Sequence, residues 1–245
     1  MDRWSFGAVI IQTGEKIMDF GVIGANIAKL WTNYWHIYIL EGVAITLKLT
    51  FIAVILGALL GVVVAMFKMS KSKIIRFLIT VYIEVIRGTP LLLQLYIFYF
   101  VLPEILPIFD FNEFTWVAIA LCINSSAYVS EIFRSGIQSV DIGQTEAARS
   151  LGLSSGQTMT RIVLPQAVKN ILPALGNEFI MMLKETSLAS TFFIGDLMTA
   201  HLKIKGATYL MLESLIITGA IYLCMTYPLS KLVEAFERKM KNADK

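Results

Sequence analysis

Residues Glu146 to Pro165 read EAARSLGLSSGQTMTRIVLP. The stretch lies between long apolar runs and is too polar to sit in lipid. Gly152 suits the position just past a helix end, where a positive φ is required. Ser154 can cap a second helix, with Gln157 three residues on as its capping-box partner. Pro165 opens the next helix, because its missing N–H would be orphaned there in any case. Upstream, Asp141 and Gln144 give a weaker start signal for the first helix. The pattern predicts a helix–turn–helix elbow, its first helix over about 141–152, on one side of a bilayer. By local pattern alone, an ordinary interhelical loop fits as well.

The chains on either side of the elbow set the class. Of 245 residues, 56% are hydrophobic and 16% charged, where soluble domains carry roughly 25% charged residues. Mean hydropathy is +0.69. The chain reads as an all-α polytopic membrane protein. The formal net charge is only +3, and no broad basic face for nucleic acid is present. Cys122 and Cys224 both lie in apolar runs and read as packed small hydrophobes. His36 and His201 lack ligand-like spacing, so neither a metal nor a catalytic site is expected. No GxxxxGK[ST] phosphate loop occurs, so the chain is not expected to bind ATP itself.

Five spans are predicted, at about 38–67, 74–101, 114–137, 167–194 and 207–229. Ahead of them, residues 1–37 hold a short apolar run, Phe6–Ile11, too weakly flanked for a cleaved signal peptide. An interfacial helix is expected over 17–35. The first span carries Gly57 and Gly61, a GxxxG that permits close helix contact. The second is long for a minimum of about 20 residues and must tilt or bend. Its middle is Arg87-Gly88-Thr89-Pro90. Pro90 frees a carbonyl one turn back, and Arg87 lies near midplane depth, where a charge needs a partner or water. Glu84, three residues earlier, is the local candidate for a structural pair.

In the third span Asn124, Tyr128, Glu131 and Ser135 recur at spacings of 4, 3 and 4, which places them in one polar stripe. The stripe faces either a polar cavity or neighbouring helices that hydrogen-bond to it. The fourth span is broken at its start by Pro173 and Gly176. It carries Asn177, Glu178, Lys184, Glu185, Thr186 and Ser187. Glu178 and Glu185 share a face, and Lys184 can neutralise Glu185. A loop at 195–206 follows, with Asp196 and His201. After the fifth span comes an amphipathic tail containing Lys231, Arg238, Lys239 and Lys241, and residues 241–245 close the chain. Lys and Arg concentrate at 68–76, 134–170 and the tail, whereas 102–113 is acidic. The positive-inside rule therefore puts the N-terminus outside and the C-terminus and elbow in the cytoplasm. The two lysines of 195–206 run against that count.

The elbow resembles the signature of permeases from binding-protein-dependent ABC importers. That signature is E-A-A, three residues, G, nine residues, I-x-L-P. Here it is Glu146-Ala147-Ala148, Gly152, Ile162, Leu164 and Pro165. Arg87-Gly88-Thr89-Pro90 with Gln94, Glu131-Ile132, Gly176-Asn177-Glu178, Lys184-Glu185-Thr186-Ser187-Leu188 and Asp196-Leu197 are similar to the polar amino-acid branch. The resemblance covers about residues 38–240. It implies a type I importer fold with five helices in a prokaryotic cell membrane. It also implies three partners: a separate ATPase carrying ATP and Mg, an external solute-binding protein, and a second permease subunit, identical or not. Glu146, Ala147, Ala148, Arg149, Leu151 and Gly152 are then the candidates for docking on the ATPase.

If an amino acid passes at midplane, Arg87 can meet its carboxylate through a planar fork. Glu131, Glu178 or Asp196 can meet an ammonium. Thr89, Asn124, Tyr128, Lys184, Thr186 and Ser187 complete the candidate pathway. Another small polar solute is the alternative cargo. A channel or secondary transporter is disfavoured, because the chain shows no pair of matching halves.

Overall fold

The computed structural model describes residues 20–242; the run Phe6–Ile11 and the last three residues lie outside them. Among the described residues the chain is helical throughout, with no strand. The first element is α1, Phe20–His36, which passes through a π-helical stretch, Ile37–Val43, into α2, Ala44–Lys68. No break falls near residue 37, where an interfacial helix is expected to give way to a first span; the helix only changes its winding there. No proline interrupts this region, and residues 20–68 form 49 continuous helical residues. At 1.5 Å per residue that is ~74 Å, more than twice the ~30 Å of bilayer hydrocarbon. Trp31 and Trp35 are exposed along α1, which suits aromatic anchors at a membrane surface.

The second predicted span is two helices. α3, Lys73–Gly88, and the stretch from α4, Leu91–Tyr96, to α5, Leu102–Ile105, are bent by 104°. The residue before a proline is pushed out of the helical region, and Thr89 is extended at φ −116°, ψ 146°. Pro90 has no N–H for the carbonyl of Ile86. The Gln94 side chain takes its place, donating from Nε2 to Ile86 O at 2.7 Å and to Thr89 Oγ1 at 2.9 Å. The break is thus hydrogen-bonded, as buried backbone must be.

α6, Glu113–Gln138, starts at Asn112, whose side chain accepts from the Thr115 N–H at 2.9 Å. It forms its largest interface with α2. Gly57 and Gly61 make that possible: a Cβ on Gly57 would lie 2.7 Å from Ser125 Cβ, and one on Gly61 2.7 Å from Val129 Cβ. Leu49, Ala53, Leu95, Val117, Leu121 and Met182 form the core beside this contact.

The elbow follows as α7, Ile142–Ser150, and α8, Ser155–Thr158. α9, Leu164–Glu185, runs through Pro173 without stopping, so the expected break there is corrected. It ends in a tight 3-10 stretch, Thr186–Phe192, which closes the fourth predicted span short of residue 194. The predicted loop at 195–206 is in fact a helix, α10, Leu197–Thr208. The fifth predicted span and the tail are one helix, α11, Met211–Asn242, with Pro228 inside it. A second core joins α1, α10 and α11 through Leu30, Tyr38, Leu197, Ile204 and Ile217. Within it the Tyr38 hydroxyl lies 2.7 Å from Ser214 Oγ, which lies 2.9 Å from His201 Nδ1.

Among the described residues, Phe20–Lys68, Glu113–Gln138 and Met211–Met240 are long and apolar enough to cross a membrane, and the bent pair makes a fourth if it is one span. α9 is not among them.

Candidate functional site

Two regions carry the residues singled out from the sequence. The first is the elbow. Asp141 caps α7 by accepting from the Gly143 N–H at 2.6 Å. At the other end Gly152 adopts φ 87°. The Leu153 N–H reaches Ala148 O at 3.2 Å and the Gly152 N–H reaches Arg149 O at 3.0 Å, which is the Schellman pattern of a helix stopped by a left-handed residue. The Ser154–Gln157 capping box is complete, with both reciprocal bonds made. Arg149 Nη1 donates to Leu153 O at 2.6 Å and braces the turn. Of the docking candidates, Ala148 is only 5% exposed and packs inward, away from the elbow's outer surface. Leu151, 82% exposed, and Ile142, 70% exposed, are the apolar side chains on offer. Glu146, Ala147 and Arg149 are also exposed.

The second region is an open cavity of about 500 Å³. Arg87, Tyr128, Glu131 and Glu178 line it together with Arg134 and Asn177, so three elements bring four of the ten pathway candidates to one place. Glu131 is the hub. Arg134 Nη2 lies 2.7 Å from Glu131 Oε2, Lys68 Nζ 3.2 Å from Oε1, and Arg87 Nη1 3.8 Å from Oε2. The local pair expected between Arg87 and Glu84 is replaced by this contact with α6. The Arg87 guanidinium also lies 5.3 Å from the Tyr128 ring centroid, within cation–π range. With three cations around one carboxylate, Glu131 has little capacity left for a substrate ammonium. Lys68 and Arg134 were not among the expected site residues, although Arg134 stands three residues from Glu131 on one helix face.

Glu178 differs. It is 3% exposed, and its Oε1 accepts from Ser125 Oγ at 3.0 Å. No cation pairs with it among the described residues. Ser125 had no place among the expected residues; its signal, a serine in the wall that meets Gly57, becomes visible only once α2 and α6 are packed.

The other candidates lie off the cavity. Thr89 and Asn124 serve the α3–α4 break, since Asn124 Nδ2 donates to Gln94 Oε1 at 2.9 Å. Thr186 is fully buried and its hydroxyl donates to Leu183 O at 2.8 Å. Lys184 and Ser187 are not among the residues that line the cavity. Asp196, 0% exposed, caps α10 through the Met198 N–H at 2.9 Å; its expected part as an ammonium ligand is corrected to a helix cap.

Residues 53–242 match the family model of the binding-protein-dependent transport system inner membrane component. The chain belongs to that family. This permease is 44% identical over 207 residues to the arginine transport system permease protein ArtQ of Bacillus subtilis (strain 168), covering 84% of this chain and 94% of that one. It is 43% identical over 203 residues to the nopaline transport system permease protein NocM of Agrobacterium fabrum (strain C58 / ATCC 33970), covering 80% and 84%. Among solved structures, an amino acid ABC transporter described with histidines superposes with a TM-score of 0.81 at 47% identity, over 91% of this chain and 99% of that one. An inward-facing MetNI methionine ABC transporter gives a TM-score of 0.63 at 16% identity, over 80% of this chain and 94% of that one; that likeness is one of fold alone. The permease is a membrane-embedded component of an ABC transporter and does no bond chemistry of its own.

Proposed function

We propose that this permease passes a polar α-amino acid, delivered by an external solute-binding protein, across the membrane by alternating access driven by a separate ATPase. The observation that carries the reading is that Arg87 and Glu178 line one cavity. An α-amino acid presents a carboxylate and an ammonium, and the cavity offers a guanidinium fork and an uncompensated carboxylate. Tyr128 and Asn177 add a ring and an amide. Relatives named for arginine and nopaline transport support the same cargo class.

In this reading, α9 supplies a fifth span beside the three apolar helices and the bent pair. The N-terminus and the acidic segment with Glu104, Asp110 and Glu113 face outward. Arg149, Arg161 and Lys169 support a cytoplasmic elbow by the positive-inside rule. There α7 docks in a groove of the ATPase through Leu151 and Ile142, with Glu146 and Arg149 at the rim. ATP binding on that partner pulls the elbows together, and two permease subunits rock about their interface. The binding energy of nucleotide thus reaches the cavity through rigid helices, α9 in particular.

The test is Arg87→Ala in proteoliposomes holding the permease, its ATPase and the binding protein. Uptake of radiolabelled L-arginine and L-glutamine should fall steeply while the binding protein still docks and stimulates ATP hydrolysis. Wild-type uptake by the variant would refute Arg87 as a substrate ligand. For the elbow, Gly152→Asp should prevent co-purification with the ATPase; normal assembly and transport would refute the docking role.

A further inference from the structure

α3 is a helix with three faces. Tyr82, Ile83 and Ile86 face α6: Ile83 is fully buried, and the Tyr82 hydroxyl lies 2.6 Å from Ser126 Oγ and donates to Ile123 O at 3.1 Å. Ile74, Phe77, Leu78, Val81 and Val85 make a second stripe and are all exposed, which in a membrane chain suits contact with lipid. The third stripe is Lys73, Arg76, Thr80, Glu84 and Arg87, at spacings of 3, 4, 4 and 3, which is one helix face. Neither Arg76 nor Glu84 makes an ion pair among the described residues. The Thr80 hydroxyl is satisfied within the helix, by Arg76 O at 2.8 Å.

An arginine and a glutamate without partners do not sit in hydrocarbon, so this face meets water. It is also continuous with the cavity, because Arg87 belongs to both. Its other end, Lys73, adjoins the Met69–Ser72 turn that follows α2. We propose that the polar face of α3 is a wall of the translocation path, with Arg76, Thr80 and Glu84 forming a track along which a charged amino acid moves between the cavity and the membrane surface. The inference rests on the amino-acid reading of the cavity and extends it to three residues outside the cavity lining. Chemically, alternating cationic and anionic groups suit a zwitterion, which exchanges partners stepwise without being stripped of all of them.

Cysteine accessibility tests this in the assembled permease–ATPase complex, in a Cys122→Ala, Cys224→Ser background. A membrane-impermeant methanethiosulfonate, supplied on both sides of proteoliposomes, should modify Thr80→Cys and Glu84→Cys several-fold faster than Leu78→Cys and Val81→Cys. Modification at Glu84→Cys should block uptake of L-arginine, and reduction should restore it, which a misfolded variant would not allow. Equal labelling of all four positions, or labelling confined to Leu78→Cys and Val81→Cys, overturns the track. So does full modification of Glu84→Cys with undiminished uptake. If Arg87→Ala transports normally while the polar face alone labels and blocks, it is the cavity assignment that fails and the track that stands.

Discussion

Glu131 and Glu178 line the same cavity and live in opposite electrostatic surroundings. Glu131, on α6, is held by Lys68 from α2, Arg87 from α3 and Arg134 from its own helix. Glu178, on α9, is more deeply buried and has a single neutral partner, Ser125. Burying a carboxylate without a cation is costly, so a site that retains one invites a cation from elsewhere. A carboxylate with three cations is already served and acts as a tie between helices. In the proposed reading, the difference separates a structural acid from a substrate-facing one within a single cavity. Arg87 lines the same cavity, bound to Glu131 by the longest of the three contacts and 41% exposed.

The largest effect should come from removing the tie. Glu131→Ala leaves Lys68, Arg87 and Arg134 facing one another without a counter-charge. Breaking a fully buried pair costs ~3–5 kcal/mol; with these cations partly exposed, about 2 kcal/mol is expected after allowance for solvent screening. Thermal unfolding of the purified complex should show the loss, and transport should fall with it. An unchanged melting temperature would mean that the cluster holds nothing together and that Glu131 and Glu178 are not contrasting acids after all.

Glu178→Gln should do the reverse, sparing stability and impairing transport. The glutamine oxygen can still accept from the Ser125 hydroxyl, so unfolding should shift little. A hydrogen bond to a charged group is worth about 1 kcal/mol more than a neutral one, so KM for an amino acid should rise about fivefold. Measured against the deaminated form of the same substrate, which has no ammonium, the variant and wild type should be equal. A rise for both substrates alike would reduce Glu178 to a packing role.

How much of this contrast the residues disclose in advance depends on how local each feature is. The elbow closes on itself within a dozen residues: Asp141, Gly152, Ser154 and Gln157 each satisfy backbone groups next door, and those bonds were readable as letters. The stripe Asn124, Tyr128, Glu131 and Ser135 was readable because helical period alone puts it on one face. Arg87 illustrates the limit. Its nearest acid along the chain is Glu84, yet its partner is Glu131, 44 positions away in the sequence. α3 packs on α6 through Tyr82 and Ile83, and that packing between distant segments, which brings Arg87 to Glu131, leaves no mark in the local pattern. The same limit applies to Gln94, which looks like one polar residue in an apolar run and is the donor that closes the break at Pro90. Asp196 misled for the opposite reason. A buried acid beside a span is as good a helix cap as a ligand, and only the Met198 N–H decides between them. α10 was hidden because Lys203, Lys205 and Gly206 give it the composition of a loop, while its apolar side, Leu197, Ala200 and Ile204, is spent on α1 and α11.

The smallest effect should be that of Lys68→Met, and it probes the hub most finely. Lys68 contacts the oxygen of Glu131 that Arg87 does not, Oε1, at 3.2 Å. Removing it leaves Arg134 bound through Oε2 at 2.7 Å and Arg87 at 3.8 Å on the same atom, so Glu131 keeps its charge balance. The methionine retains most of the apolar stem that packs at the end of α2. An ion pair in partial contact with solvent contributes ~0.2–1 kcal/mol, and about 0.5 kcal/mol is expected here. The informative measurement is the cycle of Lys68→Met, Glu131→Gln and the double variant. If Lys68 acts only through Glu131, the double variant should be no less stable than Glu131→Gln alone, and added salt should shrink the single effect. If the two losses add, Lys68 holds the end of α2 by some other contact, and Glu131 is then shared by two helices rather than three.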